Sequence, residues 1–204
     1  MPLTTYEELR TSVASWLNRS DLTDTIPDFI TLADAQIARD VRHWRMEVRA
    51  TTTIDSRYTT LPTYWVRTLR LHIGDAKAPL QLLSLADMQD MRYANGDTQG
   101  EPKYYAHVAG EFEVYPTPGD SYTGELLYHA RPIPLSATQD TNWLLDYAPD
   151  VYLYGALVQS APFLQHDERT ATWASLYAAA VQRLNAEGDA AQWSGTGLRM
   201  RGRM

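Results

Sequence analysis

Residues 142–184 read NWLLDYAPDVYLYGALVQSAPFLQHDERTATWASLYAAAVQRL, and two helical patterns meet there at Ala161-Pro162. The first spans about 149–161 and opens on Pro149-Asp150. Proline suits the first helical turn, and a carboxylate suits the positive end of the helix dipole. Val151, Leu153, Tyr154, Ala156, Leu157 and Val158 make this helix apolar on almost every side, so it is expected to be buried, by its own subunit or by a neighbour. The second pattern, about 167–186, carries Trp173, Tyr177, Val181 and Leu184 as one stripe of an amphipathic helix. This centre reads as a packing device with an interface attached, and not as a reaction centre.

Working outward, the N-terminal part repeats the theme. Thr5-Tyr6-Glu7-Glu8 has the form of a capping box and predicts a helix to about Asn18, with Leu9, Val13, Trp16 and Leu17 on one face. Thr25-Ile26-Pro27-Asp28 predicts the start of a second helix, striped by Ile26, Ile30, Ala33, Ile37, Val41 and Trp44. The short link between them implies an antiparallel pair.

After His43 the period changes. Residues 48–54, 58–61, 65–73 and 80–83 read as strands. Leu69, Leu71 and Ile73 alternate with Thr68, Arg70 and His72. A brief helix begins at Ser84-Leu85 and ends by Asn95-Gly96. Residues 95–102, NGDTQGEP, carry the strongest loop signal. A meander is expected next: 104–108, a turn at Ala109-Gly110, 112–115, a Pro-Thr-Pro-Gly-Asp loop at 116–120, then 122–131.

Helices, then strands, then helices define an α+β fold: a helical bundle from the N- and C-terminal helices with an inserted antiparallel β-rich lobe and an extended C-terminal arm. The expected divisions are 1–46 and 136–190 for the bundle, 47–135 for the lobe and 191–204 for the arm. In the tail, Arg199, Arg201 and Arg203 alternate with Leu198, Met200 and Gly202. It reads either as a frayed basic terminus or as an arm that adds to a partner as an extended strand.

Composition narrows the function. The chain has 204 residues and is 44% hydrophobic, enough to bury a core without staples. It has no cysteine, which excludes disulfides, thiolate zinc sites and iron–sulfur clusters and fits a reducing compartment. No apolar run reaches the roughly 18 residues of a membrane span, and MPLTTYEELR lacks the order of a signal peptide. A net charge of −7 argues against sequence-independent nucleic-acid binding, which rests on Lys and Arg. Thirteen tyrosines and six tryptophans suit contact surfaces as well as core.

No catalytic or cofactor constellation emerges. His43, His72, His107, His129 and His166 have no metal-ligand spacing, and no phosphate-cradling loop or GxSxG is present. Glu111 and Glu113 share a strand face and read as solvated carboxylates, without the cleft a glycosidase pair needs. No catalytic, cofactor or metal residue is therefore assigned.

The motifs as a set carry a resemblance. They are WLNRSDLTDTIPDFITLADAQIARDVR, LPTYWVRTLRL, PKYYAHVAGEFEVYPTP, LLYHARPIPLS, NWLLDYAPDVYLYGALVQSAPFLQHDER and a tail with LRMR. Together they resemble the tailed-bacteriophage head-to-tail adaptor (connector) proteins over essentially the whole chain. The resemblance implies a structural virion protein of the neck, assembled in the host cytoplasm. It implies a ring of copies, twelve in number, beneath the portal protein, extending the DNA channel and offering a platform to a tail tube or nozzle protein. DNA would pass without specific binding, with no membrane and no cofactor. Leu198, Arg199, Met200, Arg201 and Arg203 would form a portal-binding arm, with Trp193 anchoring it. Asn95, Asp97, Gln99, Pro116, Pro118 and Asp120, on the lobe's loops, would meet the next tail component or a neighbouring subunit. A soluble protein-binding module and a particle-associated cell-wall hydrolase are the competing readings.

Overall fold

The computed structural model describes residues 3–74, 78–164 and 168–193, with side chains to Ala191. The chain divides into two compact units: Met1–Met46 with Pro132–Met204, and Glu47–Arg131.

The first unit is helical. In α1 (Tyr6–Leu17) the capping box forms as the sequence requires. The Glu8 backbone N–H donates to Thr5 Oγ1 at 3.2 Å, and the Thr5 N–H donates to the Glu8 carboxylate at 3.2 Å. Helix α2 (Ile26–Asp40) takes Pro27 in its first turn and buries Ile26, Ile30, Ala33 and Ile37. Two aromatic expectations fail, since Trp16 and Trp44 are each 43% exposed. Trp16 sits on the flank of α1, its ring edge-on to Tyr154 at 5.8 Å. Trp44 leaves the stripe because α2 ends at Asp40 and Trp44–Met46 form a 3-10 turn.

The short helix α4 (Trp143–Tyr147) comes before the first helix read in residues 142–184, which was expected to begin near Pro149. Its cap, Asn142, accepts from the N–H groups of Leu144 and Leu145 at 3.0 and 2.9 Å. Helix α5 (Pro149–Leu164) runs past the expected boundary and through Pro162. A proline there removes one hydrogen bond in the last turn, which ends two residues later in any case. Helix α5 is the buried centre, packed against α1, α2, α4 and α6. Gly155 lets it approach closely: a Cβ there would stand 3.3 Å from that of Ala33 on α2. Helix α6 (Thr170–Trp193) buries Trp173, Tyr177, Val181 and Leu184 as expected, and extends past the predicted end near 186.

His43 is enclosed in this unit. It is 3% exposed, its ring stacks on Trp143 at 5.6 Å, and its Nδ1 accepts from the Arg45 N–H at 3.2 Å. Burial, then the Arg45 charge, depresses its pKa, against an opposing pull from Glu187. With the folded value below the ordinary one, its contribution to stability is full above the ordinary histidine value and lost as pH falls through the folded value. Lowering pH from about 7 to about 5 should therefore lower the urea midpoint of the helical unit, less steeply in His43→Gln. Equal slopes in the two proteins would remove His43 as the group responsible.

Among the described residues, the second unit holds nine strands. A three-stranded antiparallel sheet has the order β1 (Glu47–Ile54), β9 (Tyr122–Ala130), β3 (Trp65–Ile73). A four-stranded sheet has the order β2 (Tyr58–Thr60), β7 (Glu111–Tyr115), β6 (Tyr104–Val108), β4 (Gln81–Leu82). Residues of both, including Ile54, Leu71, Phe112, Val114 and Leu126, share one core. The expected meander holds only for the β6–β7 hairpin. β9 crosses to the other sheet, where its Leu126 and Tyr128 reach that shared core. The alternation of β3 is also broken. Register shifts between Trp65 and Arg67 and between Thr68 and Arg70 turn Leu69 outward, 40% exposed, while Leu71 and Ile73 stay buried. At the C-terminal boundary, Leu135 belongs to the helical core.

Candidate functional site

The two loops singled out in the sequence are joined. Helix α3 (Leu85–Asn95) starts on a Ser84 cap, whose Oγ accepts from the Asp87 N–H at 3.1 Å. It buries Met88 against Ala106 and Tyr115, and ends before Gly96 at φ 74°, a conformation that favours glycine. The chain then forms β5 (Gln99–Gly100), paired in parallel with β8 (Thr117–Pro118). The Thr117 N–H donates to the Thr98 carbonyl at 3.0 Å. Thr98 Oγ1 donates to the Tyr115 hydroxyl at 3.1 Å, which donates to the Gly96 carbonyl at 3.2 Å.

Electrostatics fasten this pair from below. Arg92 on α3 pairs with Asp97, donates to the Val114 carbonyl at 2.7 Å and lies over the Tyr115 ring at 4.9 Å. Its Nε also donates to Glu113 at 2.9 Å, and Arg57 meets the same carboxylate oxygen at 2.7 Å. Thr117 Oγ1 donates to Asp97 at 2.7 Å. That hydrogen bond, with the Arg92 and Arg57 charges, holds the Asp97 carboxyl below the usual range against the cost of burial. Glu113, read from sequence as solvated, is 2% exposed: β7 buries Phe112 and Val114 on one side, and α3 covers the other.

Asn95, Asp97, Gln99, Pro116, Pro118 and Asp120 thus come together in one place. Asn95, Asp97, Gln99 and Asp120 are exposed, Pro116 is half-buried and Pro118 is buried. Trp193 is the last residue of α6; its side chain, and Leu198, Arg199, Met200, Arg201 and Arg203, lie outside the described residues. Sequence reasoning missed the outer face of α3, where Tyr93 is 88% exposed and Leu85 lies two turns before it. It also missed a groove of about 930 Å³ between α2 and α6, lined by Val158 from α5 among others.

Among the described residues, no three His, Asp or Glu side chains are grouped to hold a metal ion. No described helix is long and apolar enough to cross a membrane. What is present is a helical unit with a buried central helix and a sheet unit carrying a braced pair of exposed loops.

The sequence model of the SU10 adaptor protein family matches residues 4–201, almost the entire chain. The chain belongs to this family of bacteriophage adaptor proteins, which are structural proteins and not enzymes. Comparison with curated proteins gives no match.

Proposed function

We propose that this protein is the head-to-tail adaptor of a virion neck: copies, twelve in number, form a ring under the portal, extend the DNA channel and present a platform to a tail tube or nozzle protein. The observation that carries the reading is the family match over residues 4–201, which takes in both units and most of the tail. The braced loops supply a rigid surface, so docking a partner on Asn95, Gln99 and Asp120 costs little ordering entropy. The tail residues Leu198, Arg199, Met200, Arg201 and Arg203 serve as the portal arm, anchored at Trp193. An acidic chain suits a channel through which DNA slides without sticking.

Deleting residues 198–204 is expected to leave a folded protein that no longer assembles on portal rings, read by circular dichroism and negative-stain imaging. Assembly at the wild-type level would remove the arm from the account. Binding of duplex DNA by the isolated protein at low salt would count against the acidic channel.

A further inference from the structure

The edges of the two larger sheets are not alike. β2 and β4, which end the four-stranded sheet, are three and two residues long. β3 carries two register shifts, and its Leu71 carbonyl accepts from the Leu80 N–H at 2.8 Å. Short length, bulges and covering chain are the usual guards of a sheet edge. Among the described residues, β1 has none of them. It runs eight residues, Glu47–Ile54, in unbroken register with β9, without proline or lysine.

The pairing decides which backbone groups of β1 are open. The Gly74 N–H donates to the Thr123 carbonyl at 2.8 Å, so Thr123 turns its backbone groups towards β3. β9 keeps that alternation to its end, where the Arg131 N–H donates to the Tyr64 carbonyl, just before β3, at 2.9 Å. Backbone groups alternate in direction along a strand, so those of Gly124, Leu126 and Tyr128 point towards β1. These three stand opposite Thr52, Ala50 and Val48. The even residues of β1 therefore bond to β9, and Arg49, Thr51 and Thr53 turn their N–H and carbonyl groups to the open edge. Among the described residues, β9 is the strand that pairs with β1, and no backbone hydrogen bond from outside the ladder reaches these three residues. They repeat at about 6.8 Å, the two-residue spacing of an extended chain, and their side chains are exposed.

The exposed face of this sheet is locally basic. Arg49 and Arg70 both hold Glu125, at 2.6 and 3.2 Å. Arg67 donates to His129 Nδ1 at 3.4 Å, and Glu47 stands 3.7 Å from the other ring nitrogen. Three guanidiniums thus share two carboxylates, in a chain of net charge −7.

We infer that β1 accepts an extended segment of another neck protein as a fourth strand of the three-stranded sheet, bonded to the backbone groups of Arg49, Thr51 and Thr53. A row of open backbone groups at this spacing is matched by another extended backbone, the β-augmentation mode of recognition. An acidic side chain on the incoming strand beside Arg49, whose own side chain is 69% exposed, takes up the excess positive charge. The choice of a different chain rests on the adaptor reading. Two copies joined by the same β1 edge are related by a two-fold axis, which closes at a dimer and does not propagate round a ring.

Hydrogen exchange at residue resolution, in the isolated protein and in purified particles, tests the contact. In the isolated protein the amides of Arg49, Thr51 and Thr53 should exchange at least about tenfold faster than those of Val48, Ala50 and Thr52; in the particle they should slow to the rate of these neighbours. Amides as fast in the particle as alone overturn the inference. Thr51→Pro removes an outward N–H and no bond to β9, so it should keep the wild-type urea midpoint, whereas Thr52→Pro lowers it. In particles, Thr51→Pro should leave Arg49 and Thr53 fast, and Thr51→Val, which keeps the N–H, should protect them. Equal protection in the two variants overturns the strand pairing. Thr53→p-benzoylphenylalanine should photo-cross-link in the particle to a different chain, and a product of two copies overturns the choice of occupant. Should Thr51→Pro not fold, the wild-type exchange and the cross-link still decide. The two readings fail separately: absence of the protein from the particle removes the adaptor reading and the partner with it, whereas fast amides in a chain that is present in the neck remove only the edge contact.

Discussion

Glu113→Ala is expected to destabilise the sheet unit by about 3 kcal/mol, the scale for removing one partner of a buried ion pair. The carboxylate lies between two guanidiniums, and Arg92 is itself only 10% exposed along its side chain. Removing the carboxylate leaves that charge under α3 with Asp97, whose own side chain is 61% exposed, as its anionic partner among the described residues. The effect should spread to the paired loops, because Arg92 holds both Asp97 and the Val114 carbonyl. Urea unfolding should show a lower midpoint, and amide exchange should rise in residues 95–102 and 116–120. A loss under about 0.5 kcal/mol, the range of ordinary surface changes, would mean that the network does not brace the loops.

The second large effect belongs to Asn142→Ala in the helical unit, again about 3 kcal/mol. About 1 kcal/mol is the cap of α4, where Asn142 receives two backbone N–H groups. The rest comes from its Nδ2, which donates at 2.7 Å to the Ile133 carbonyl and at 2.7 Å to the Tyr152 hydroxyl; buried groups stripped of a partner cost about 1–3 kcal/mol. Tyr152 in turn donates to Asp34 at 2.8 Å, and Asp34 accepts from the Leu135 N–H at 3.1 Å. One polar chain thus ties the segment after the sheet unit to α2 and α5. Burial, reinforced by Asp34, drives the Tyr152 hydroxyl pKa far up, so it stays a donor across the working range. Asn142→Asp keeps the cap but loses both amide donations, so it should recover only part of the loss. Equal stability of Asn142→Ala and wild type would contradict this reading.

What the sequence made legible follows from the range of the forces involved. The capping box at Thr5 and Glu8, the start of α2 and the stripe of α6 are local, and each formed where expected. Burial of α5 was readable because an all-round apolar helix has few alternatives. Strand pairing depends on contacts far apart in the chain. β9 lies between β1 and β3 and not beside β7, and the bulges of β3 were hidden in an unbroken alternation of residues. Glu113 was misread for the same reason: its partners Arg57 and Arg92 come from 56 and 21 residues away. The helix that Asn142 caps went unread because five residues have no period to detect. The polar loops at 95–102 and 116–120 were visible as loops, whereas their pairing through β5 and β8 was not.

The adaptor reading meets its most direct test in native mass spectrometry and single-particle imaging of this protein, alone and mixed with its portal ring. The expected result is a monomer alone and a closed ring of copies only in the presence of portal, lost when residues 198–204 are removed. A discrete small oligomer that forms without portal and ignores it would contradict the account, and would make this chain a binding module that shares the adaptor fold.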